Sequence, residues 1–246
     1  LLFLRMTWNV GVYEWIYPAL SSAGRRFITL HGDEMNFDHA HTDELLSTTR
    51  AVRKRLDLSK QVPREIIDEC LELAIQAPTG GNSQTWRWVV VDDASVRSQL
   101  AELYVAAATD YLRLSAEQAE KEGNKQNQRV FSSAQYLADH LAEVPVIVIP
   151  CLEGRPPENT PASMYSGLFG SIYPAIWSFQ LALRSRGLGS ALTTLHLAFE
   201  EKASKILQLP PNVMQVALLP VAYTIGTSFK RAIRSPAATI THWNSW

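Results

Sequence analysis

The chain has 246 residues, of which 46% are hydrophobic and 19% charged, a globular ratio with ample core material that excludes disorder as the main state. Its 23 Lys and Arg against 24 Asp and Glu leave a formal charge of −1, so no overall positive field exists to hold a polyphosphate backbone, and nucleic acid is not an expected partner. The two cysteines, Cys70 and Cys151, show no CxxC or Cys/His spacing, which excludes a disulfide framework and a sequence-visible zinc site and points to a reducing, cytoplasmic setting.

No stretch reaches the roughly 18 consecutive apolar residues of a membrane span, so no membrane partner is expected. Leu1 to Asn9 lack a basic start, an uninterrupted hydrophobic run and a small-residue cleavage site, and do not read as a signal peptide. Residues 1–34 have no clean period of 2 or 3.6, and the pattern changes at Met35, which marks a candidate natural start. Residues 1–40 are therefore expected to be a poorly ordered extension ahead of one domain over 41–246. The competing reading is an arm that packs Trp8, Trp15 and Tyr17 on the body or on a second subunit.

From Asp43 to Arg55 the pattern suits a helix ending in the basic group Arg50, Arg53, Lys54 and Arg55. Pro63 then stands where a first-turn proline belongs, and Ile67, Cys70, Leu71 and Ala74 fall at helical spacing until Ala77-Pro78 stops the helix. Pro78 to Gln84 is dense in turn formers and reads as a loop, and Trp86 to Val91 as a buried strand. Ser95 to Leu114 returns to helical spacing, while 116–129 is polar on all sides and reads as exposed helix or mobile loop.

A helix near Ser133 to Leu141 leads into Val144 to Pro150, whose β-branched run marks a central strand. After a loop from Gly154 to Pro161, Ser171 to Arg186 is apolar nearly all round and reads as a core helix of the domain or of a dimer, closed by Gly187 and Gly189. Ala191 to Leu195 is strand-like, Phe199 to Leu207 an amphipathic helix, Val216 to Tyr223 a further buried strand, and Phe229 to Trp246 irregular. Strands separated by helices of ten or more residues call for a layered α/β architecture.

The usual catalytic constellations are absent: no GxSxG, HExxH, P-loop or GxGxxG motif occurs. The six histidines are scattered, and His39 and His41 lack a third ligand for a metal. Two features stand out. Arg50 and Arg53, at i,i+3 on one helical face, offer guanidinium forks suited to a phosphate, although most such clusters are solvated surface. In Ala77-Pro78-Thr79-Gly80-Gly81-Asn82-Ser83-Gln84, two glycines permit close backbone approach and two carboxamides offer paired donors and acceptors to a planar ring edge; the same residues would also serve as a plain turn.

In combination, from about Thr42 to Trp246, these elements resemble the nitroreductase family of FMN-dependent flavoproteins. That family opens with Arg-Ser-x-Arg and continues with Ala-Pro-(Ser/Thr)-x-x-Asn-x-Gln-Pro-Trp; here they are Arg50-Ala51-Val52-Arg53 and Ala77 to Trp86. Arg184 to Ser190 and Arg231-Ala232-Ile233-Arg234-Ser235-Pro236 also look like family elements, and Thr193-Thr194-Leu195-His196 with Thr241-His242-Trp243-Asn244 is similar to an actinobacterial branch.

The resemblance implies an α+β nitroreductase-like fold, a mainly antiparallel mixed sheet flanked by helices, in a homodimer with two FMN sites at the subunit interface, each lined by both chains. By the same likeness Arg50 and Arg234 would hold the phosphate, with Lys230 or Arg231 assisting. Arg53 would reach the ribityl chain or the pyrimidine end. Asn82 and Gln84, with Pro78 and Thr79 beside them, would meet the polar edge of the ring, and Thr193, Thr194 and Leu195 would line the face near N5. Ala51 stands where the family usually has Ser, leaving only a backbone amide for the phosphate, and Thr85 stands where Pro is common.

The activity implied is hydride transfer from NAD(P)H through FMN to nitroaromatic or quinone acceptors in ping-pong fashion, with no catalytic side chain beyond the flavin and no metal. The alternatives are a relative with another acceptor, dehalogenating or flavin-cleaving, and a non-catalytic FMN-binding or redox-responsive protein.

Overall fold

A computed structural model describes residues 37–246. The expectations for residues 1–34, including the start at Met35, lie outside the described residues. The chain runs α1 (His39–Thr48), α2 (Arg64–Ala74), β1 (Trp86–Val91), α3 (Ala94–Lys121), α4 (Lys125–His140), β2 (Val146–Glu153), α5 (Ala162–Ser185), β3 (Leu188–Ser190), α6 (Glu200–Ile206), β4 (Val213–Gln215) and β5 (Leu219–Tyr223).

β2 is the axis of the sheet. Its residues alternate between two cores: Ile147, Ile149 and Cys151 pack with α3, α4 and α6, whereas Val146, Val148 and Leu152 pack with α2 and α5. A strand covered on both faces has to be apolar at every position, which is why 144–150 reads as an unbroken β-branched run. The strand order is β1-β2-β5-β3, with β4 also on β2, and every ladder between strands is antiparallel. β4 and β5 lie along the same side of β2, separated at Val216–Leu218. Pro150 faces that gap: its carbonyl accepts from Val216 N at 2.9 Å, and a proline has no N–H to continue the ladder there.

Several elements differ from their sequence expectation or decide between readings that the sequence leaves open. β1 is an edge strand, with Arg87 and Val90 exposed, and only Trp86 and Val91 are fully buried. The polar stretch 116–129 completes a helical hairpin: α3 continues to Lys121 because Ala108, Leu112 and Ala119 keep an inward stripe while Arg113 pairs with Glu117 at 3.0 Å on the outside. Gly123 (φ +63°) makes the turn, and Asn124 caps α4 by accepting from Asn127 N at 3.0 Å. Finally, the residues read as strand at 191–195 form only an isolated bridge, Thr193 to Leu218, before a 3₁₀ turn over Leu195–Phe199.

The basic segment is not helical. α1 stops at Thr48, where the hydroxyls of Thr48 and Thr49 bond back to the carbonyls of Glu44 and Leu45, and Thr49 leaves in an extended conformation. The chain then lies along the far edge of the sheet. Ala51 bridges Ser190 in parallel, Val52 N donates to Ser190 O at 2.8 Å, and Leu56 bridges Thr224. β-type bridges at Ala51 and Leu56, with a turn between them closed by Leu56 N on Arg53 O at 3.2 Å, outweigh the weak helical spacing of 49–55.

Gly189 permits this docking. A Cβ there would stand 2.7 Å from Thr224 Cγ2 and 2.9 Å from Val52 Cβ. Both neighbours are β-branched and stiff, so neither yields cheaply. Gly189→Ala is expected to cost roughly 1–3 kcal/mol by overpacking, read as a lowered midpoint in urea unfolding; an unchanged midpoint would show that the 51–56 segment is not held against β3 as described.

Candidate functional site

The edge occupied by residues 50–56 also receives the C-terminal segment. Arg55 Nε donates to Ile225 O and its Nη1 to Ser228 O, both at 2.8 Å, while Arg184 Nη2 donates to Thr227 O at 2.7 Å. The two guanidiniums lie against the Phe229 ring, with Arg55 Cζ 4.1 Å and Arg184 Cζ 4.8 Å from its centroid. Each contact contributes about 0.5–1 kcal/mol or more where partly desolvated. Gly226 (φ +71°) turns the chain beneath Arg55, where a Cβ would come within 2.9 Å of the guanidinium. The clamp directs 230–234 back across the basic segment, and Arg50 Nη1 donates to Lys230 O at 2.9 Å.

Two adjoining cavities result, of about 500 and 490 Å³. Both are lined by Arg50, Ala51, Arg53 and Ser133; the larger adds Arg231 and Arg234, the smaller Lys230. Six of the residues singled out in the sequence thus meet from opposite ends of the polypeptide. The larger cavity also takes Gln126 and Arg129 from α4, and no Asp or Glu lines either cavity. Among the described residues, none of these arginines forms an ion pair.

Arg53 is half-buried, and its Nη1 lies 3.5 Å from Ser133 Oγ. Burial pulls its guanidinium below the ordinary value, with Tyr104 acting weakly the other way, and it remains a cation at neutral pH. Burial pushes the Tyr104 phenol up against the opposing effects of Thr193 and Arg53. Tyr104 Oη lies 3.3 Å from Thr193 Oγ1, so this buried tyrosine links the cationic wall to the 193–195 turn.

The other expected residues lie elsewhere in the chain. Pro78, Thr79, Asn82 and Gln84 sit on the α2–β1 loop, where Gly81 and Asn82 adopt φ of +62° and +54° and Gly80 N donates to Ser171 Oγ of α5 at 3.0 Å. Asn82 and Gln84 are exposed and line neither cavity. Thr193, Thr194 and Leu195 also line neither; Thr194 precedes the 3₁₀ turn, and Leu195 packs on the core. Sequence reasoning missed Tyr104, the Phe229 clamp and the α4 residues. Gln126, Arg129 and Ser133 fall on one face at i, i+3 and i+7, but inside a stretch polar on every side no such stripe is distinctive.

The chain matches the nitroreductase family model over residues 46–223. It belongs to the nitroreductase family. Zebrafish iodotyrosine deiodinase is 25% identical over 183 residues, 73% of this chain and 58% of that protein, and rat iodotyrosine deiodinase 1 is 34% identical over 70 residues, 28% of this chain and 24% of that protein. The matches therefore span less than two thirds of these relatives. Among solved structures, iodotyrosine deiodinase bound to FMN and 3-iodo-L-tyrosine superposes with a TM-score of 0.62 at 21% identity, covering 83% of this chain and 99% of that one. Nitroreductase A from Vibrio parahaemolyticus gives 0.62 at 16% identity, covering 83% and 75%. These likenesses establish the nitroreductase fold: helical layers around an antiparallel sheet. Among the described residues no helix is long and apolar enough to cross a membrane, and no cluster of metal-ligating side chains occurs.

His196 is sealed beneath the 193–195 turn, and neither ring nitrogen finds a hydrogen-bond partner. Burial pushes it down to about 4, outweighing the nearby Gln215 and Glu200. Buried and neutral, it is unsuited to proton transfer with a substrate. Cys70 and Cys151 are likewise inert, held by burial at about 11 and about 12. Between the ordinary histidine value of 6.5 and about 4, the unfolded chain binds a proton at His196 that the folded one does not, so stability falls as pH falls through that window. His196→Leu is expected to abolish on the order of 2 kcal/mol of the stability lost between about pH 7 and about pH 5, measured by urea unfolding at both; an unaltered pH dependence would contradict this.

Proposed function

We propose that this chain is an FMN-dependent oxidoreductase that works as a homodimer, with the phosphate of FMN held by Arg50 and Arg234 and assisted by Lys230 or Arg231. The carrying observation is the convergence of five guanidiniums on a cavity without a carboxylate among its lining residues. Unpaired cations at close quarters repel, and a phosphate monoester carrying about −1.5 to −2 charges near neutral pH relieves that repulsion. Ala51 adds only its backbone, but the fork geometry of several arginines suffices for a phosphate without a hydroxyl.

The α2–β1 loop supplies its part across the dimer: Asn82 and Gln84, exposed in one protomer, would meet the ring edge of the flavin bound to its partner. Supporting a dimer, α5 and the segment after it carry Met164, Tyr173, Trp177 and Leu192 on the surface, and the C-terminal segment exposes Ile233, Ile240, Trp243 and Trp246. Apolar surface on this scale marks an interaction face.

The chemistry FMN supplies when bound is hydride acceptance from NAD(P)H and delivery of electrons to a planar, electron-poor acceptor such as a nitroaromatic or quinone. The chain's own residues place the cofactor and set its electrostatics. Arg53, desolvated beside Tyr104, would stabilise negative charge on the reduced ring. Thr193 to Leu195, tied to Tyr104, would line the open face. Among the described residues there is no separate dinucleotide-binding fold, so donor and acceptor would use that face in turn.

Purified protein is expected to be yellow or to bind added FMN, and to bleach anaerobically with NADH or NADPH. Arg50→Ala and Arg234→Ala should each weaken FMN binding by roughly tenfold or more, the effect of losing a charged hydrogen bond; a colourless protein that ignores FMN, or variants that bind it normally, would overturn the assignment. Arg53→Ala should lower the midpoint potential of the bound flavin, and an unchanged potential would remove that role. Initial-rate plots should be parallel.

A second reading is favoured by the zebrafish deiodinase, whose likeness extends over 73% of this chain: the acceptor would be a halogenated aromatic. Halide release during anaerobic turnover separates it from nitro or quinone reduction. A protein that binds FMN but is not reduced by either nicotinamide would instead be a redox-responsive flavin binder.

A further inference from the structure

We infer that the α4 wall of the cationic cavity, Arg129 with Gln126, forms a second oxyanion subsite, which takes a phosphate monoester or carboxylate carried by the substrate while the opposite wall holds the phosphate of the cofactor. This rests on the flavin reading above and goes beyond it by giving the substrate a charge.

Arg50, Arg53, Arg129, Arg231 and Arg234 line one cavity without an acidic residue. A single phosphate monoester brings at most about two negative charges. A surplus of positive charge therefore faces the cavity once the cofactor is seated, and a second anion is the simplest partner for it.

The walls are also built separately. Arg50 and Arg53 lie on the extended segment beside β3, and Arg231 and Arg234 on the C-terminal segment, the two segments being joined by the Arg50–Lys230 bond and the clamp on Phe229. Arg129 comes from α4, which meets the first wall through two serine contacts, Lys54 Nζ to Ser132 Oγ at 2.9 Å and Arg53 Nη1 to Ser133 Oγ at 3.5 Å. Gln126 lies one turn earlier on the same face and adds a carboxamide donor to the guanidinium fork. Both residues are exposed, so their side chains are free to close on a ligand. At about 500 Å³ the cavity is of a size that encloses part of a small molecule in addition to one oxyanion.

The shared chemistry has two sources: the 2′-phosphate that distinguishes NADPH from NADH, and a carboxylate on an aromatic acceptor. Flavin-loaded protein is titrated calorimetrically with adenosine 2′,5′-bisphosphate against 5′-AMP, and with 4-nitrobenzoate against 4-nitrobenzamide, in wild type and Arg129→Met. The wild type is expected to prefer the anionic member of at least one pair by about tenfold, and Arg129→Met to lose that preference while keeping its flavin. The pair affected identifies the source.

Absence of both preferences in the wild type, or their persistence in Arg129→Met, overturns the subsite. Loss of flavin by Arg129→Met also overturns it, since Arg129 would then serve the cofactor's phosphate, and it leaves the flavin reading intact. A wild type that takes up no FMN defeats the flavin reading and the subsite with it.

Discussion

The architecture of the site depends on one close approach. An extended segment from near the start of the described chain docks on the far edge of the sheet, and a segment from its other end folds over it. Gly189 leaves the space in which Val52 sits, and the bond from Val52 N to Ser190 O sets the register. Arg55 and Arg184, stacked on Phe229 and bonded to three carbonyls of the 225–228 stretch, hold the returning segment. Basic residues separated by about 180 positions become neighbours through this docking, and Arg50 touches the backbone at Lys230 directly.

That arrangement is electrostatically unfavourable by itself. Guanidiniums brought together without carboxylates repel one another, a cost that the rest of the fold has to offset. Two apolar cores on opposite faces of β2 do so. Arg55 and Arg184 serve as struts on backbone carbonyls, Arg53, Arg231 and Arg234 face the cavity, and Arg50 does both, lining the cavity while donating to Lys230 O. The same residue type therefore both builds the site and lines it.

Much of the fold was legible because burial imposes a pattern. The run at 144–150 declared a strand covered on both faces, and Ile172, Ala175, Ile176, Phe179 and Leu183 declared a core helix, although its beginning at Ala162 was hidden by Gly167 and Gly170. The helical reading of 43–55 is met as far as Thr48 and fails beyond it, because spacing alone cannot register Ser190 and Thr224 waiting as β-type partners. The polar stretch at 116–129 is exposed helix, one of the two readings its composition allows; the hairpin turn within it was hidden because Ala119 is its one buried residue. In the site, motifs exposed Arg50, Arg53 and the basic end segment. Tyr104 and Arg129 were invisible, being defined by tertiary neighbours and by no local pattern. Asn82 and Gln84 line neither arginine cavity within one chain, so the part proposed for them rests on the proposed second subunit.

In the proposed flavin site the cationic seam acts on the phosphate, so a comparison of ligands with and without that group isolates the seam from every other contact. Apo-protein titrated with FMN and with riboflavin, followed by flavin fluorescence, should bind FMN at least about a hundredfold more tightly, the preference expected from several charge-assisted hydrogen bonds. Equal affinity for the two ligands would mean that Arg50 and Arg234 hold no phosphate, and the flavin assignment built on their convergence would fail.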